Sequence, residues 1–149
     1  MTEALTLSQL EQYLSKAAWI LKGPIGASDF KAYIFPMLFF KRISDVYDEE
    51  YQTALEESKG DKEYAALPEF HRFIVPEGCH WEDVRSTAVN VGIKIEECLR
   101  SIESANQDHL YGIFGDAQWS NKESLSDRLL VDLVEHFSLM EIMISFMVE

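Results

Sequence analysis

Apolar residues recur at helical spacing along most of the chain, and this pattern predicts a mainly α-helical fold. The first such segment carries one apolar stripe, formed by Leu7, Leu10, Leu14, Ala17, Ala18 and Leu21. Either Thr6 with Gln9 or Ser8 with Glu11 fits the capping box that opens a helix. The run Lys22-Gly23-Pro24 predicts where this helix ends, because a glycine followed by a proline typically terminates a helix.

A second helical segment begins near Ser28, which we predict to be its N-cap, with Asp29 favourably placed near the positive end of the helix dipole. Residues 33–40 are apolar on nearly every side, so several neighbours should bury them. Pro36 lies within this run and should either kink the helix or open a new one. The pattern becomes amphipathic from Lys41 to about Leu55, which predicts the central helix of the domain.

The rest of the chain predicts an irregular crossover followed by two more long helices. Residues 58–85 contain a turn, a short extended segment at 73–76 and one helical turn at 81–85. The next helix should run from about Ala88 to Asn106, and the apolar loop at 110–115 should pack on the core. A capping box of Ser120 and Glu123 predicts the start of the last helix. We therefore expect one all-α domain over residues 1–149, a bundle of four to five principal helices with its crossover around residues 58–85.

Composition agrees with a globular domain and adds a strong negative charge. Apolar residues make up 47% of the 149-residue chain, too many for a disordered protein. The 13 basic and 26 acidic residues leave a formal net charge of −13, which repels a phosphate backbone. We expect weak nucleic-acid binding by this chain alone, although it could line one wall of a DNA site or dock a basic protein.

Cysteine content and hydropathy favour the cytoplasm. Cys79 and Cys98 are the only cysteines, and two thiols in a chain of this length indicate reduced residues, not a disulfide framework. The acidic start of the chain does not resemble a signal peptide. The longest apolar run spans residues 33–40, whereas a membrane-spanning helix needs about 20 apolar residues.

No catalytic, cofactor-binding or metal-binding motif stands out. The chain has neither a phosphate-binding glycine loop nor a paired-cysteine metal motif. His71, Cys79 and His80 could ligate a metal, but their spacing matches no standard zinc pattern, and an irregular loop with incidental polar residues explains them more simply. The carboxylate pairs at 82–83 and 96–97 are predicted to be solvated charge, since adjacent helical residues do not share a face. The aromatic residues from Phe30 to Phe40 favour core packing over base stacking.

Basic residues near the first two helices are the candidates for contact with DNA or a partner protein. They are Lys16, Lys22, Lys31, Lys41 and Arg42. A positive patch on an acidic domain could meet phosphates or the carboxylates of a partner. Alternatively, Lys41 and Arg42 could pair with Asp45 on the next helical turn.

Several segments, in order, resemble the N-terminal domain of the methyltransferase (M) subunits of type I restriction-modification systems. The most specific block runs from Ile34 to Glu50, IFPMLFFKRISDVYDEE. The full set of resembling segments, within residues 7–138, is 10–23, 27–31, 34–50, 73–76 with Trp81, 92–96, 110–114 and 125–138.

The resemblance implies a helical domain that precedes a Rossmann-like catalytic domain. That catalytic domain would bind S-adenosylmethionine and methylate adenine N6 after flipping the base out of the duplex. The helical domain would help to enclose double-stranded DNA and to dock the specificity subunit, which reads the target. The restriction subunit completes such a complex, which usually holds two M subunits per specificity subunit.

This chain departs from the family pattern in two ways. It lacks the catalytic Asn/Asp-Pro-Pro-Tyr/Phe motif, because none of its four prolines neighbours another proline. Residues 139–149 no longer resemble the family, and their apolar character would favour self-association if exposed. We therefore expect a non-catalytic chain, a fragment or truncated product that needs S-adenosylmethionine only as part of a full-length subunit. The alternative is a free-standing acidic adaptor, a helical interaction module without an attached enzyme.

Overall fold

A computed structural model describes residues 7–23 and 25–139 of the chain. Its helices, numbered in chain order, are α1 (Leu7–Leu21), α2 (Phe30–Glu57), α3 (Lys62–Ala65), α4 (Trp81–Arg85), α5 (Val91–Ala105), α6 (Gln107–Leu110) and α7 (Asp127–Ser138). Two short 3₁₀ turns lie at Ala27–Asp29 and Pro68–Phe70. The described residues contain no β-strand, so the predicted all-α class is confirmed.

Two of the long helices, α2 and α7, hold the bundle together. Helix α2 contacts α1, α3, α4 and α7, and α7 also contacts α1, α4 and α5. The core of the bundle contains large apolar side chains that are almost fully buried: Leu21, Met37, Phe40, Ile95, Leu99, Ile102, Phe114, Trp119, Leu125, Leu130 and Phe137. Burial of these side chains, not local helix propensity, supplies most of the stability of such a fold.

The connection from α1 to α2 confirms the predicted helix end but corrects the predicted cap. Helix α1 ends at Leu21, and Gly23 then adopts a φ of 103°, which suits a residue without a Cβ. Ser28 is not the N-cap of α2, because it lies inside the 3₁₀ turn and Asp29 occupies the capping position without a side-chain hydrogen bond. The predicted cap at Thr6 and the proline at position 24 lie outside the described residues.

Pro36 does not start a new helix. Helix α2 continues through it from Phe30 to Glu57, and the pyrrolidine ring is buried. Met37, Leu38 and Phe40 are buried beside it, which agrees with the expectation for most of this apolar run, but Phe35 is 40% exposed.

The starts of α5 and α7 differ from the predictions because tertiary contacts and an unforeseen serine set them. Ala88 is exposed and precedes α5, which begins at Val91 after Asn90 turns the backbone into the left-handed region with a φ of 57°. Helix α7 begins at Asp127, and the hydroxyl of Ser126, not that of Ser120, accepts the capping hydrogen bond from the Leu129 amide at 3.2 Å. The predicted helical turn at Trp81–Arg85 is confirmed, and α7 ends at Ser138, where the last segment that resembles the family also ends.

The loop after α6 packs on the core, as predicted. Leu110 and Phe114 are buried there, although Tyr111 points outward and is 83% exposed. Further along, Trp119 is fully buried and lies edge-on to Tyr33 of α2, with ring centroids 5.0 Å apart. The main chain at Trp119 approaches α5 so closely that only a glycine fits opposite it, at Gly92.

Candidate docking surface and buried polar cluster

Three of the five basic candidates lie on the outside of the bundle, on α1, just after it and on the first turn of α2. Lys16, Lys22 and Lys31 are all exposed. Trp19 lies among the α1 residues and is 70% exposed, and the ammonium group of Lys22 sits 4.5 Å from the centroid of its ring. We call Lys16, Trp19, Lys22 and Lys31 the α1 surface. An exposed tryptophan paired with a cation is a common feature of binding surfaces, because the flat ring supplies large contact area at low entropic cost.

Lys41 and Arg42, the other two candidates, are buried. Lys41 is 2% exposed and Arg42 is 5% exposed. The Lys41 ammonium donates to the Asp45 carboxylate, with a distance of 2.6 Å to Oδ1, so for Lys41 the alternative interpretation as an intrahelical ion pair is the one observed. These two residues do not belong to the α1 surface, and their contact with DNA or a partner stays a prediction.

The buried ion pair is part of a polar cluster where α2, α4 and α7 meet around Trp81. Lys41 lies 5.8 Å from the centroid of the Trp81 ring. The Trp81 backbone amide donates to the hydroxyl of Ser44 at 2.8 Å, and its indole Nε1–H donates to the hydroxyl of Ser138 at 2.8 Å. Ser138 in turn donates to the Val134 carbonyl at 2.7 Å. The cluster satisfies polar groups that would otherwise be costly to bury, so it fixes how the three helices pack.

The three residues considered as metal ligands do not form a site. The His71 ring stacks on Tyr47 with centroids 3.8 Å apart, and its Nε2–H donates to the Ala65 carbonyl at 2.7 Å. Cys79 is buried against α5, where the Cys98 thiol contacts the carbonyl of Gly78 at 3.7 Å. Within residues 7–23 and 25–139, no group of three or more histidine, cysteine or carboxylate side chains is arranged to hold a metal ion.

Two carboxylates cap helices, and one of them was predicted to be simply solvated. Asp83 accepts a hydrogen bond from the His80 amide at 3.0 Å and so closes the start of α4. Asp127, on α7, reaches across to the start of α5 and accepts from the amides of Asn90 and Val91 at 3.1 and 3.0 Å. These backbone hydrogen bonds lower the pKa of Asp127 below its usual range, since they favour the ionised carboxylate.

Two further groups have shifted pKa values with clear causes. Burial of Tyr47, followed by the neighbouring Tyr51, raises the pKa of the Tyr47 phenol. The guanidinium of Arg85 hydrogen-bonds Glu135 with an Nε–Oε1 distance of 2.8 Å and lowers the pKa of that carboxyl. Both groups link elements of the bundle, so neither shift indicates a catalytic acid or base.

The surface of the described residues carries several open hollows. One hollow of about 320 Å³ along α2 is lined by Glu49, Glu50, Thr53, Ala54, Glu57 and Phe70. In the same described part of the chain, no helix is both long and apolar enough to cross a membrane.

Fold and surface together define a helical-bundle domain that carries an exposed tryptophan–lysine pair on and just after α1. Comparison with protein families shows the family to which this domain belongs. The family model described as the HsdM N-terminal domain matches residues 10–137. The chain therefore belongs to the family of N-terminal domains of type I restriction-modification methyltransferase subunits. Comparison with curated protein sequences finds no significant match.

The match covers nearly the whole described bundle, from α1 to the last turn of α7. It confirms the resemblance drawn from the ordered sequence blocks. The apolar residues 139–149 lie beyond the match, and of them the structure describes only Leu139, which is 69% exposed.

Proposed function

We propose that this chain is a non-catalytic domain that helps to enclose DNA within a type I restriction-modification complex, with the α1 surface facing the phosphate backbone. The observation that carries the proposal is the exposed Trp19–Lys22 pair, with Lys16 exposed on α1 and Lys31 exposed on the first turn of α2, in a chain whose net charge is −13. Lysines supply the counterion-releasing contacts that hold DNA, and the indole adds apolar contact area.

The strong negative charge limits what this surface can do alone. At long range an acidic domain repels DNA, so a few lysines would contact phosphates only when other subunits hold the duplex in place. Membership of the family supports those other components: the specificity subunit, the restriction subunit and a catalytic domain of the same M subunit. That catalytic domain would bind S-adenosylmethionine and transfer its methyl group to adenine N6, and we propose no role in the chemical step for this domain.

The proposal is tested by DNA binding at several salt concentrations, with and without the specificity subunit and the catalytic domain. We expect weak binding by the chain alone and tighter binding in the complex. In the complex, the triple variant Lys16→Gln, Lys22→Gln, Lys31→Gln should reduce the slope of log K against log salt by up to about 3, because each lost phosphate contact contributes about 0.9.

Two variants serve as matched controls. Lys59→Gln, in the turn after α2, and Lys62→Gln on α3 each remove an exposed charge at the opposite end of the long helix α2 from Lys31, and each should leave the slope nearly unchanged. Equal slopes for the complex with the wild-type domain and with the triple variant would contradict the proposed DNA contact. A weaker complex with the specificity subunit but an unchanged salt slope would instead indicate that the α1 surface binds protein.

A further inference from the structure

The two cysteines of the chain, Cys79 and Cys98, come together in the core of the bundle. They do not belong to the α1 surface. Cys79 lies in the segment of residues 71–80, which has no helix or strand, and Cys98 lies in the middle of α5. Cys79 is 5% exposed and Cys98 is fully buried. Neither thiol takes part in a metal site or in the polar cluster around Trp81.

A tight turn places the segment that contains Cys79 against α5. The Cys79 amide donates to the Pro76 carbonyl at 3.0 Å and closes a tight turn in which Gly78 adopts a φ of 84°. That turn directs the Gly78 carbonyl at the Cys98 thiol, 3.7 Å away. Cys79 directly follows Gly78 in the chain, so its side chain lies next to that of Cys98, and Cys79 is accordingly among the causes that raise the pKa of Cys98.

A second attachment holds the same segment on α5. The Ile74 amide donates to the Asn106 side-chain oxygen at 2.8 Å, and the Asn106 amide group donates back to the Ile74 carbonyl at 2.8 Å. The segment is therefore attached at Ile74, just before the turn, and at Gly78, within the turn, so the two thiols stay near each other. Because residues 71–80 form no regular element, they can adjust locally to the spacing of about 4.4–6.8 Å between Cα atoms that a disulfide requires.

We propose that Cys79 and Cys98 form an intramolecular disulfide when the chain meets a small-molecule disulfide as oxidant. The Cys79 thiolate attacks the oxidant, forming a mixed disulfide and releasing one thiol. Cys98 then loses its proton and attacks the Cys79 sulfur, which forms the protein disulfide and releases the second thiol. In sum, two protein thiols are oxidised to one disulfide, and one small-molecule disulfide is reduced to two thiols.

The order of the two steps follows from accessibility. Cys79 is the more exposed of the pair, so it meets the oxidant first. Burial, followed by the neighbouring Cys79, raises the pKa of the Cys98 thiol well above its usual range. Because Cys98 is fully buried, outside reagents do not reach it, and the sulfur of Cys79 beside it is the one that it attacks. The product joins the irregular crossover covalently to α5.

Oxidised glutathione and mass spectrometry test the proposal on the purified chain in native buffer. We expect the intact mass to fall by two hydrogen atoms and both thiols to become unavailable for alkylation after denaturation. Trypsin should then yield the peptides 73–85 and 95–100 linked to each other, a link that dithiothreitol reverses. The thermal midpoint of the oxidised chain should exceed that of the reduced chain.

Single variants separate this reaction from simple thiol modification. Cys98→Ser should retain a stable glutathione adduct on Cys79, and Cys79→Ser should leave Cys98 unmodified while the chain is folded. A persistent glutathione adduct on Cys79 of the wild-type chain, two free thiols after prolonged oxidation, or a disulfide-linked dimer would each overturn the proposal. Because the wild-type measurement alone decides between these outcomes, it does not depend on the folding of the variants.

Discussion

The close approach of α5 to the Trp119 loop makes Gly92 the position where the smallest substitution should have a large effect. A Cβ atom at residue 92 would lie 1.9 Å from the Trp119 carbonyl oxygen, 2.8 Å from its carbon and 3.2 Å from Cδ1 of Leu130. The two nearest atoms are backbone, so the clash cannot be relieved by a change of rotamer. Helix α5 or the loop would have to move by about 1 Å or more to restore van der Waals separation.

The expected magnitude follows from two opposing effects of Gly92→Ala. Alanine favours a helix over glycine by about 1 kcal/mol at an interior position, and this value is an upper limit for Gly92, the second residue of α5. Overpacking of a well-packed site costs about 3 kcal/mol at the upper end of its usual range, which applies where backbone must move. We therefore expect the free energy of unfolding to fall by about 2 kcal/mol, and the thermal midpoint of a chain of this size to fall by about 4–8 °C.

Urea denaturation followed by circular dichroism measures this effect, with Gly26→Ala as the matched control. Gly26 is exposed, and a Cβ there would meet only Oδ2 of Asp29 at 3.9 Å, so its replacement by alanine should be neutral or slightly stabilising. If Gly92→Ala were as stable as the wild-type chain, the close contact between α5 and the Trp119 loop would be refuted.

Three further predictions concern the buried cluster and the α5 cap. Lys41→Met should cost about 3–5 kcal/mol in urea denaturation because it leaves the Asp45 carboxylate buried and unpaired; the double variant Lys41→Met, Asp45→Leu should recover most of that loss, and no recovery would count against the ion pair. Ser138→Ala should cost about 1–3 kcal/mol in the same assay by removing the acceptor of the Trp81 indole N–H, whereas a shift within error would argue that the hydrogen bond is not formed. Asp127 has a lowered pKa, so its contribution to stability is complete above the pKa of an aspartate in the unfolded chain, about 3.9, and is lost as the pH falls through the lower folded value. Between neutral pH and pH 2, the thermal midpoint should therefore fall more steeply for the wild-type chain than for Asp127→Asn. Parallel curves for the two chains would contradict this cap.

Helical periodicity predicted the interior of each long helix but not every boundary. The end of α1 follows a local signal, the Gly-Pro pair at positions 23 and 24. The helical turn of α4 was also predicted from the local sequence. The predicted N-caps of α2 and α7 were wrong because the chain offers several polar residues at plausible positions, and local sequence does not say which of them will be used. The predicted start of α5 near Ala88 was a few residues too early. At α5 the amides are capped by Asp127, which lies 37 residues from Asn90.

The candidate site was likewise predicted only in part from the sequence. Sequence reasoning selected Lys16, Lys22 and Lys31 as possible contacts, and the structure shows that they are exposed. The sequence alone could not distinguish these exposed lysines from Lys41, which is buried. The spacing of Lys41 and Asp45 did suggest an ion pair. Trp19 was overlooked because it lies next to the apolar stripe in the sequence, and only the packing of α1 shows that its ring faces outward.

By itself, the sequence determined the helical class, the acidic charge and the family, because apolar periodicity, composition and the order of motif blocks are properties of the chain alone. The tertiary structure decided which polar residues are buried together, which carboxylate caps which helix, and why residue 92 must be glycine. Each of these depends on atoms that are distant in sequence and meet only when α2, α5 and α7 pack. The two thiols at positions 79 and 98 became neighbours for the same reason.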